Sequence, residues 1–158
     1  MNPYASALGE RQAREAIAQT TVELERLTQR LGAEGWNRSL APGKWTAREI
    51  VCHLADTEIA FGFRLRQALA EPHHTIQPFD QDAWSRAYAN LRAQDAVETF
   101  SALRRWNIAL IDSVPQDSYR KPVTHPERGQ MTFQTLVETM GGHDLHHMKQ
   151  LQQIAAAA

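Results

Sequence analysis

The sequence is poor in three features that assign many proteins to a class: cysteine, excess charge and long apolar runs. Cys52 is the only cysteine in the 158 residues, so no internal disulfide can form. The 17 Lys and Arg are scattered among 18 Asp and Glu, which leaves a formal net charge of -1 and no basic surface for nucleic acid. No apolar run approaches the roughly 18 residues of a membrane span. We therefore expect neither nucleic acid nor a membrane as a partner.

Several targeting and catalytic motifs are also missing. The sequence has no Gly-rich phosphate loop and no Gly-x-Ser-x-Gly elbow, which argues against nucleotide chemistry and against a serine esterase. Its first residues, MNPYASALGERQ, lack the basic and apolar regions of a secretion signal, so we expect a bacterial, cytoplasmic location. The length is that of one ordinary domain and allows a real core, so a single domain over residues 1–158 is predicted.

The pattern that is present is the 3.6-residue repeat of amphipathic helices. A first helix is predicted from about Ala5 to Leu31, before Gly32 and Gly35. A second begins after Thr46, because Thr46 and Glu49 have the spacing of a capping box, and it ends at EPHHTIQP. The residues expected on its inner face are Ile50, His53 or Leu54, Thr57, Phe61, Leu65 and Ala68.

The second half of the chain predicts three more helices. A short one is capped by Asp80, and a longer one carries an inward stripe of Val97, Phe100, Leu103, Asn107, Leu110 and Val114. The last begins at about Thr132 and directs inward Phe133, Leu136, Met140, His143, His147, Leu151 and Ile154. No alternating strand pattern is visible, and the connector SYRKPVTHPERGQM reads as irregular. The prediction is an all-α fold, a four-helix bundle with a short additional helix between the second and third main helices.

Two histidines occupy positions of the last stripe where core residues are expected. His143 and His147 lie one turn apart and within about 40° of each other around the helix axis. Buried imidazoles are costly unless their nitrogens find partners, and a divalent cation accepts two lone pairs at this spacing. A third ligand must come from another helix, and His53 lies on or beside the inner face of the second. Three histidines would leave positions open for water or substrate.

Other residues near this site have open roles. Asp144 is interpreted either as a partner of a ligand histidine or as surface charge, whereas His146 is expected at the edge of the solvent face. Arg64 could clamp a substrate carboxylate or simply pack at the helix edge, and His125 could be a proton carrier or a turn residue. Trp84 and Trp106 could line a pocket but are expected in the core, and Cys52 is expected to be a buried small hydrophobe.

The segments KWTAREIVCHLADTE, PFDQDAWS, HPERGQMTFQTLV and GGHDLHHMKQL together resemble the DinB-like (YfiT-like) superfamily, from about Leu40 to Ile154. The resemblance implies a small bacterial four-helix bundle whose metal ligands fall on His53, His143 and His147. It also implies a metal-dependent enzyme, because relatives include hydrolase-like proteins and transferases or isomerases that use small thiols. Zinc and nickel are the expected metals, a low-molecular-weight thiol is a candidate cosubstrate, and a homodimer is plausible for the family.

Three functions remain open at this point. The first is a metal-dependent transferase or hydrolase acting on a small molecule. The second is a non-catalytic, metal-binding or stress-associated bundle, which is compatible with the lack of an obvious base beyond Asp144. The third is an interaction module whose inner histidines are hydrogen-bonded core groups.

Overall fold

Four long helices form the body of the protein in a computed structural model that describes residues 1–157. They are α2 (Ala13–Gly35), α3 (Ala47–Ala70), α5 (Ala93–Ser113) and α6 (Phe133–Ala156). Helices α2 and α3 each pack against both α5 and α6, which closes a four-helix bundle around one interior. Two short α-helices, α1 (Ala5–Leu8) and α4 (Gln81–Ser85), and two 3-10 helices, Tyr88–Asn90 and Gln116–Arg120, are also present, and α4 lies between α3 and α5 as predicted.

Three of the predicted helix starts are confirmed by their caps. The Thr46 side chain accepts a hydrogen bond from the Glu49 amide, and the Glu49 carboxylate accepts one from the Thr46 amide, so the capping box is complete. Asp80 caps α4 by accepting from the Ala83 amide at 3.0 Å. Thr132 caps α6 in the same way through the Thr135 amide, so the last helix begins where its sequence pattern indicates.

The first helix differs from its prediction. It is interrupted after Leu8, because Gly9 adopts the left-handed φ of 58°, and it resumes only at Ala13. Gly32 has a φ of 59° and breaks the helical geometry near the other end, although α2 then continues to Gly35. Left-handed backbone is accessible to glycine at little cost, which explains why both breaks fall at this residue type.

The expectation of no strands is wrong for the connectors. Strands β1 (His74–Thr75), β2 (Pro122–His125) and β3 (Gly129–Thr132) form one small sheet. β1 pairs parallel to β2, and β2 pairs antiparallel to β3. Strands of two to four residues are too short to show alternation, so the sequence gives little sign of them. The sheet holds the two long connectors together at one end of the bundle.

Helix α5 presents a different face from the predicted one. Val97, Phe100 and Asn107 are buried as expected, but Arg104 and Ile111 are buried too, whereas Leu103, Leu110 and Val114 are only half-buried. The two tryptophans expected in the core are also exposed, Trp106 by 67% and Trp84 by 41%. The buried face of α5 includes Arg104 because this side chain has buried partners, which are described below.

A polar layer crosses the bundle between two apolar cores. One core contains Leu24, Leu54, Phe100 and Leu151, and the other contains Ile17, Leu65, Ile111 and Met140. Most of the buried polar residues of the four long helices lie between the two cores along their helices: Thr20, His53, Thr57, Glu58, Arg104, Asn107, Thr139, His143, Asp144 and His147. Such a layer costs stability unless its groups are paired, so it marks where function is to be sought.

Candidate metal centre

The three histidines selected from the sequence meet inside the polar layer. His53 comes from α3, and His143 and His147 come from successive turns of α6. All three are at least 95% buried. One ring nitrogen from each lies within 4.8 Å of the corresponding nitrogens of the other two. The i, i+4 spacing on α6 and a facing position on α3 are therefore sufficient to bring the three rings together.

The ring nitrogens are only partly satisfied by the protein. Nε2 of His53 lies 3.0 Å from Nε2 of His143, whereas the buried Nδ1 atoms of both rings have no hydrogen-bond partner within residues 1–157. His147 differs, because its Nδ1 donates to the Gln150 side-chain carbonyl at 2.7 Å. An amide oxygen only accepts, so Gln150 fixes the tautomer that leaves the Nε2 lone pair of His147 available.

Burial keeps the three rings neutral. It lowers the pKa of His53 to about 4 and that of His147 to about 3, with nearby histidines lowering both further. The pKa of His143 is also held well below its ordinary value by burial, and then by His147 and His53. Neutral imidazole offers a lone pair without proton competition. Three such donors, converging in one buried place, fit a divalent cation.

Aromatic rings enclose the cluster. Trp45 lies 4.9 Å from the His53 ring and stacks at 6.4 Å on His147, while Tyr4 meets the edge of His143 at 5.2 Å. Tyr4 reaches this position because Gly142 has no side chain: a Cβ there would lie 2.5 Å from the Tyr4 carbonyl oxygen. The Gly142 position thus allows the N-terminal segment to cover the histidines, a role that the sequence analysis missed.

A cavity of about 250 Å³ leads from the histidines toward solvent. His53 and His143 line its inner end, and Thr57, Phe61 and Thr139 line its walls. Its outer part is lined by Arg64, Phe79, His125, Glu127 and Arg128, of which Glu127 and Arg128 are exposed. The candidate metal centre is thus accessible to a small molecule, as a reactive site requires and a purely structural one does not.

Behind the histidines, a buried ionic cluster joins all four long helices. Arg104 on α5 donates two hydrogen bonds to Glu58 on α3, at 3.1 and 2.7 Å, and also pairs with both carboxylate oxygens of Asp144 on α6. On α2, the Ile17 carbonyl accepts from Arg104 at 3.0 Å, and the Thr20 hydroxyl donates to Asp144 at 2.8 Å. Burial opposes the charge on Arg104, but the two carboxylates outweigh it and raise the Arg104 pKa.

Asp144 therefore has neither of its predicted roles. It is 99% buried, so it is not surface charge, and its hydrogen bonds go to Arg104 and Thr20, not to a ligand histidine. Its influence on the site is through its neighbour in sequence, because pairing with Arg104 fixes the turn of α6 that carries His143. Burial raises the pKa of the other carboxyl, Glu58, against the opposing effect of Arg104.

The remaining histidines do not join the cluster. His146 is exposed, as predicted. His74 is buried and pairs with Glu71 at 2.7 Å, and the exposed His73 lies 2.6 Å from the Thr124 hydroxyl. His125 is a buried strand residue on the cavity wall, so the turn interpretation is wrong. Its Nδ1 accepts the Glu127 amide proton at 3.2 Å, so the neutral ring carries its own proton on Nε2.

Two other predictions concern the surroundings of the site. Cys52 is buried as expected, and burial raises the pKa of its thiol to about 11, which disfavours the nucleophilic thiolate at neutral pH. Arg64 is half-buried; it donates to the Gln77 carbonyl at 3.2 Å and lies 5.5 Å from the Phe79 ring. Sequence reasoning missed Gln150, although its position three residues after His147 is visible, and it missed Trp45, Glu58 and Arg104.

Comparisons with known proteins agree with this architecture. Residues 16–151 match the model of the DinB superfamily. Two relatives from Oceanobacillus iheyensis are the metal-dependent hydrolase-like proteins OB0782 and OB0413. OB0782 is 32% identical over 75% of this chain and 69% of its own length. OB0413 is 23% identical over 87% of this chain and 84% of its own length.

Two solved structures share the fold. YfiT from Bacillus subtilis, described as a probable metal-dependent hydrolase with an unusual four-helix bundle topology, has a TM-score of 0.84 at 19% identity, over 92% of this chain and 85% of its own. A mycothiol-dependent maleylpyruvate isomerase has a TM-score of 0.72 at 14% identity, over 96% and 63%. Within residues 1–157, no helix is both long and apolar enough to cross a bilayer. From the family match and the shared bundle, the chain belongs to the DinB superfamily.

Proposed function

We propose that this protein is a metal-dependent enzyme that acts on a small molecule, with His53, His143 and His147 as the ligands of zinc or nickel. The observation that carries the proposal is the convergence of three neutral, buried imidazoles at the inner end of a cavity. Relatives named as metal-dependent hydrolases, and a structural neighbour that depends on mycothiol, support it. A bound divalent ion would supply a Lewis acid that activates a thiol or a water molecule at its open position.

Thiol-dependent S-transfer and hydrolysis are both compatible with these residues. The protein's own contribution is the same in each case: His53 and His143 face the cavity, Gln150 orients His147, and Trp45 and Tyr4 pack around the histidine rings. His125, on the cavity wall, would donate a hydrogen bond from its Nε2–H to a substrate group. A single domain over residues 1–158, a cytoplasmic location and a homodimer are further predictions that accompany the proposal.

An enzyme needs an open coordination position on the metal, which a non-catalytic metal-binding bundle does not. Cobalt is loaded into the metal-free protein in place of zinc, and the visible spectrum is recorded during titration with 2-mercaptoethanol and with azide. We expect a saturable change in the spectrum, which is absent in the His53→Ala variant. A cobalt spectrum that neither titrant changes would mean a closed site and would favour a non-catalytic metal-binding bundle.

A further inference from the structure

The outer part of the cavity differs in chemistry from its inner end. Its charged lining residues are Arg64, Arg128 and Glu127, so two guanidinium groups face one carboxylate. Together with a divalent ion at the histidines, this wall would give the cavity a positive potential at both ends. Electrostatics of this kind favour anionic ligands and raise their rate of entry.

Neither arginine is neutralised by the protein. Among residues 1–157 the ion pairs within 4.0 Å are formed by Arg14, His74, Arg26, Arg92 and Arg104, and neither Arg64 nor Arg128 takes part. Arg64 donates only to the Gln77 carbonyl, which leaves most of its five N–H donors free. Arg104 shows the opposite arrangement, because two carboxylates and the Ile17 carbonyl accept its N–H donors.

The two cavity arginines also affect each other. Burial, and then the charge of Arg128, lower the pKa of Arg64. Burial lowers the pKa of His125 as well, followed by Arg128 and Arg64, so both guanidinium groups act on the same wall. An anion between the two arginines would relieve this repulsion and would accept the free N–H donors in charge-assisted hydrogen bonds.

Arg64 and His53 lie on the same helix, α3, at the outer and inner ends of the cavity. Arg64 follows His53 by eleven residues, which is close to three turns and about 16 Å along the axis. Both residues line the same cavity, and side chains on a helix lean toward its N-terminus, so Arg64 leans toward His53. A molecule with a reactive group at one end and an acid at the other would match the two ends.

We propose that the cavity selects carboxylate-bearing small molecules, with the carboxylate bound by Arg64 and Arg128 and the reacting group at the three histidines. This inference rests on the proposed function and adds the class of ligand. Arg64 is held by Phe79 and the Gln77 carbonyl, so its guanidinium is partly oriented before the ligand enters. Glu127, on the same wall, would disfavour a second acid group and favours a monocarboxylate.

The test uses thiols of matched length on the cobalt-loaded protein. Dissociation constants of 3-mercaptopropionate and 6-mercaptohexanoate are compared with those of the neutral alcohols 3-mercapto-1-propanol and 6-mercapto-1-hexanol, from the thiolate-to-cobalt absorption. For at least one chain length we expect the acid to bind about tenfold more tightly than the alcohol. A difference of this size is typical of one hydrogen bond to a charged group. Arg64→Gln and Arg128→Gln should each reduce this preference.

Arg105→Gln is the matched control, because Arg105 is exposed on α5 and does not line the cavity, yet its loss changes the net charge equally. Arg128 is exposed too, so Arg128→Gln tests the inference even if Arg64→Gln disturbs folding. An acid preference that is equal in Arg128→Gln and Arg105→Gln, or no preference in the parent, would overturn it. If neither the thiols nor azide changes the cobalt spectrum, the proposed function fails; if azide changes it and no thiol does, the carboxylate inference fails alone.

Discussion

Replacing Arg104 by methionine is expected to lower the free energy of unfolding by about 3–5 kcal/mol, the cost of breaking a buried ion pair by removing one partner. Methionine fills similar volume but leaves Glu58 and Asp144 buried without a countercharge. Every long helix loses a hydrogen bond or an ion pair at this point, so the effect is on the whole bundle. Urea unfolding at pH 7, followed by circular dichroism, measures the change.

Two further variants make this expectation specific. Arg105→Met removes the neighbouring, exposed arginine and is expected to change stability by no more than about 0.5 kcal/mol, as surface substitutions do. Adding Glu58→Gln and Asp144→Asn to Arg104→Met removes both uncompensated charges and should recover part of the loss. If Arg104→Met were no more destabilising than Arg105→Met, the ionic cluster would not support the fold.

Metal binding is expected to stabilise the protein strongly. A ligand that binds only the folded state adds about 2.7 kcal/mol at one hundred times its Kd and about 4.1 kcal/mol at one thousand times. For a domain of this size each kcal/mol corresponds to about 2–4 °C, so loading with zinc or nickel should raise Tm by about 5–15 °C. Differential scanning calorimetry before and after chelation gives the difference.

The His143 variants distinguish metal binding from an ordinary core role. His143→Ala is expected to abolish the rise in Tm, whereas His146→Ala, which removes the exposed neighbour, should keep it. In metal-free protein, His143→Leu loses only the hydrogen bond between its Nε2 and that of His53, so it should cost no more than about 1–3 kcal/mol. If metal left the Tm of the parent unchanged, the histidines would be core groups of an interaction module.

The last helix shows how far the sequence specifies this site. Its stripe from Phe133 to Ile154 is buried as predicted, and the Thr132 cap begins the helix at the predicted turn. His143 and His147 are visible because polar residues interrupt an apolar repeat, and His53 because it falls on the inner face of a second, well-capped helix. The fold class follows from the same periodicity.

The ionic cluster could not be predicted in the same way. Long charged side chains on a helix usually reach solvent, so Arg104 and Glu58 do not appear as interior residues in a periodicity analysis. Their burial depends on mutual pairing across helices far apart in sequence, and Asp144 was misinterpreted for this reason. The small sheet was missed because its pairing depends on two connectors meeting in space, not on a local pattern.

The most direct measurement is the metal content of the untagged protein, purified without chelator and quantified by elemental mass spectrometry. We expect close to one zinc or nickel ion per chain in the parent and in His146→Ala, and none in His53→Ala or His143→Ala. A tag-free chain is needed because a polyhistidine tail would supply other ligands. A parent protein that stays metal-free after loading with zinc or nickel, or a His143→Ala variant that keeps its metal, would contradict the three-histidine centre.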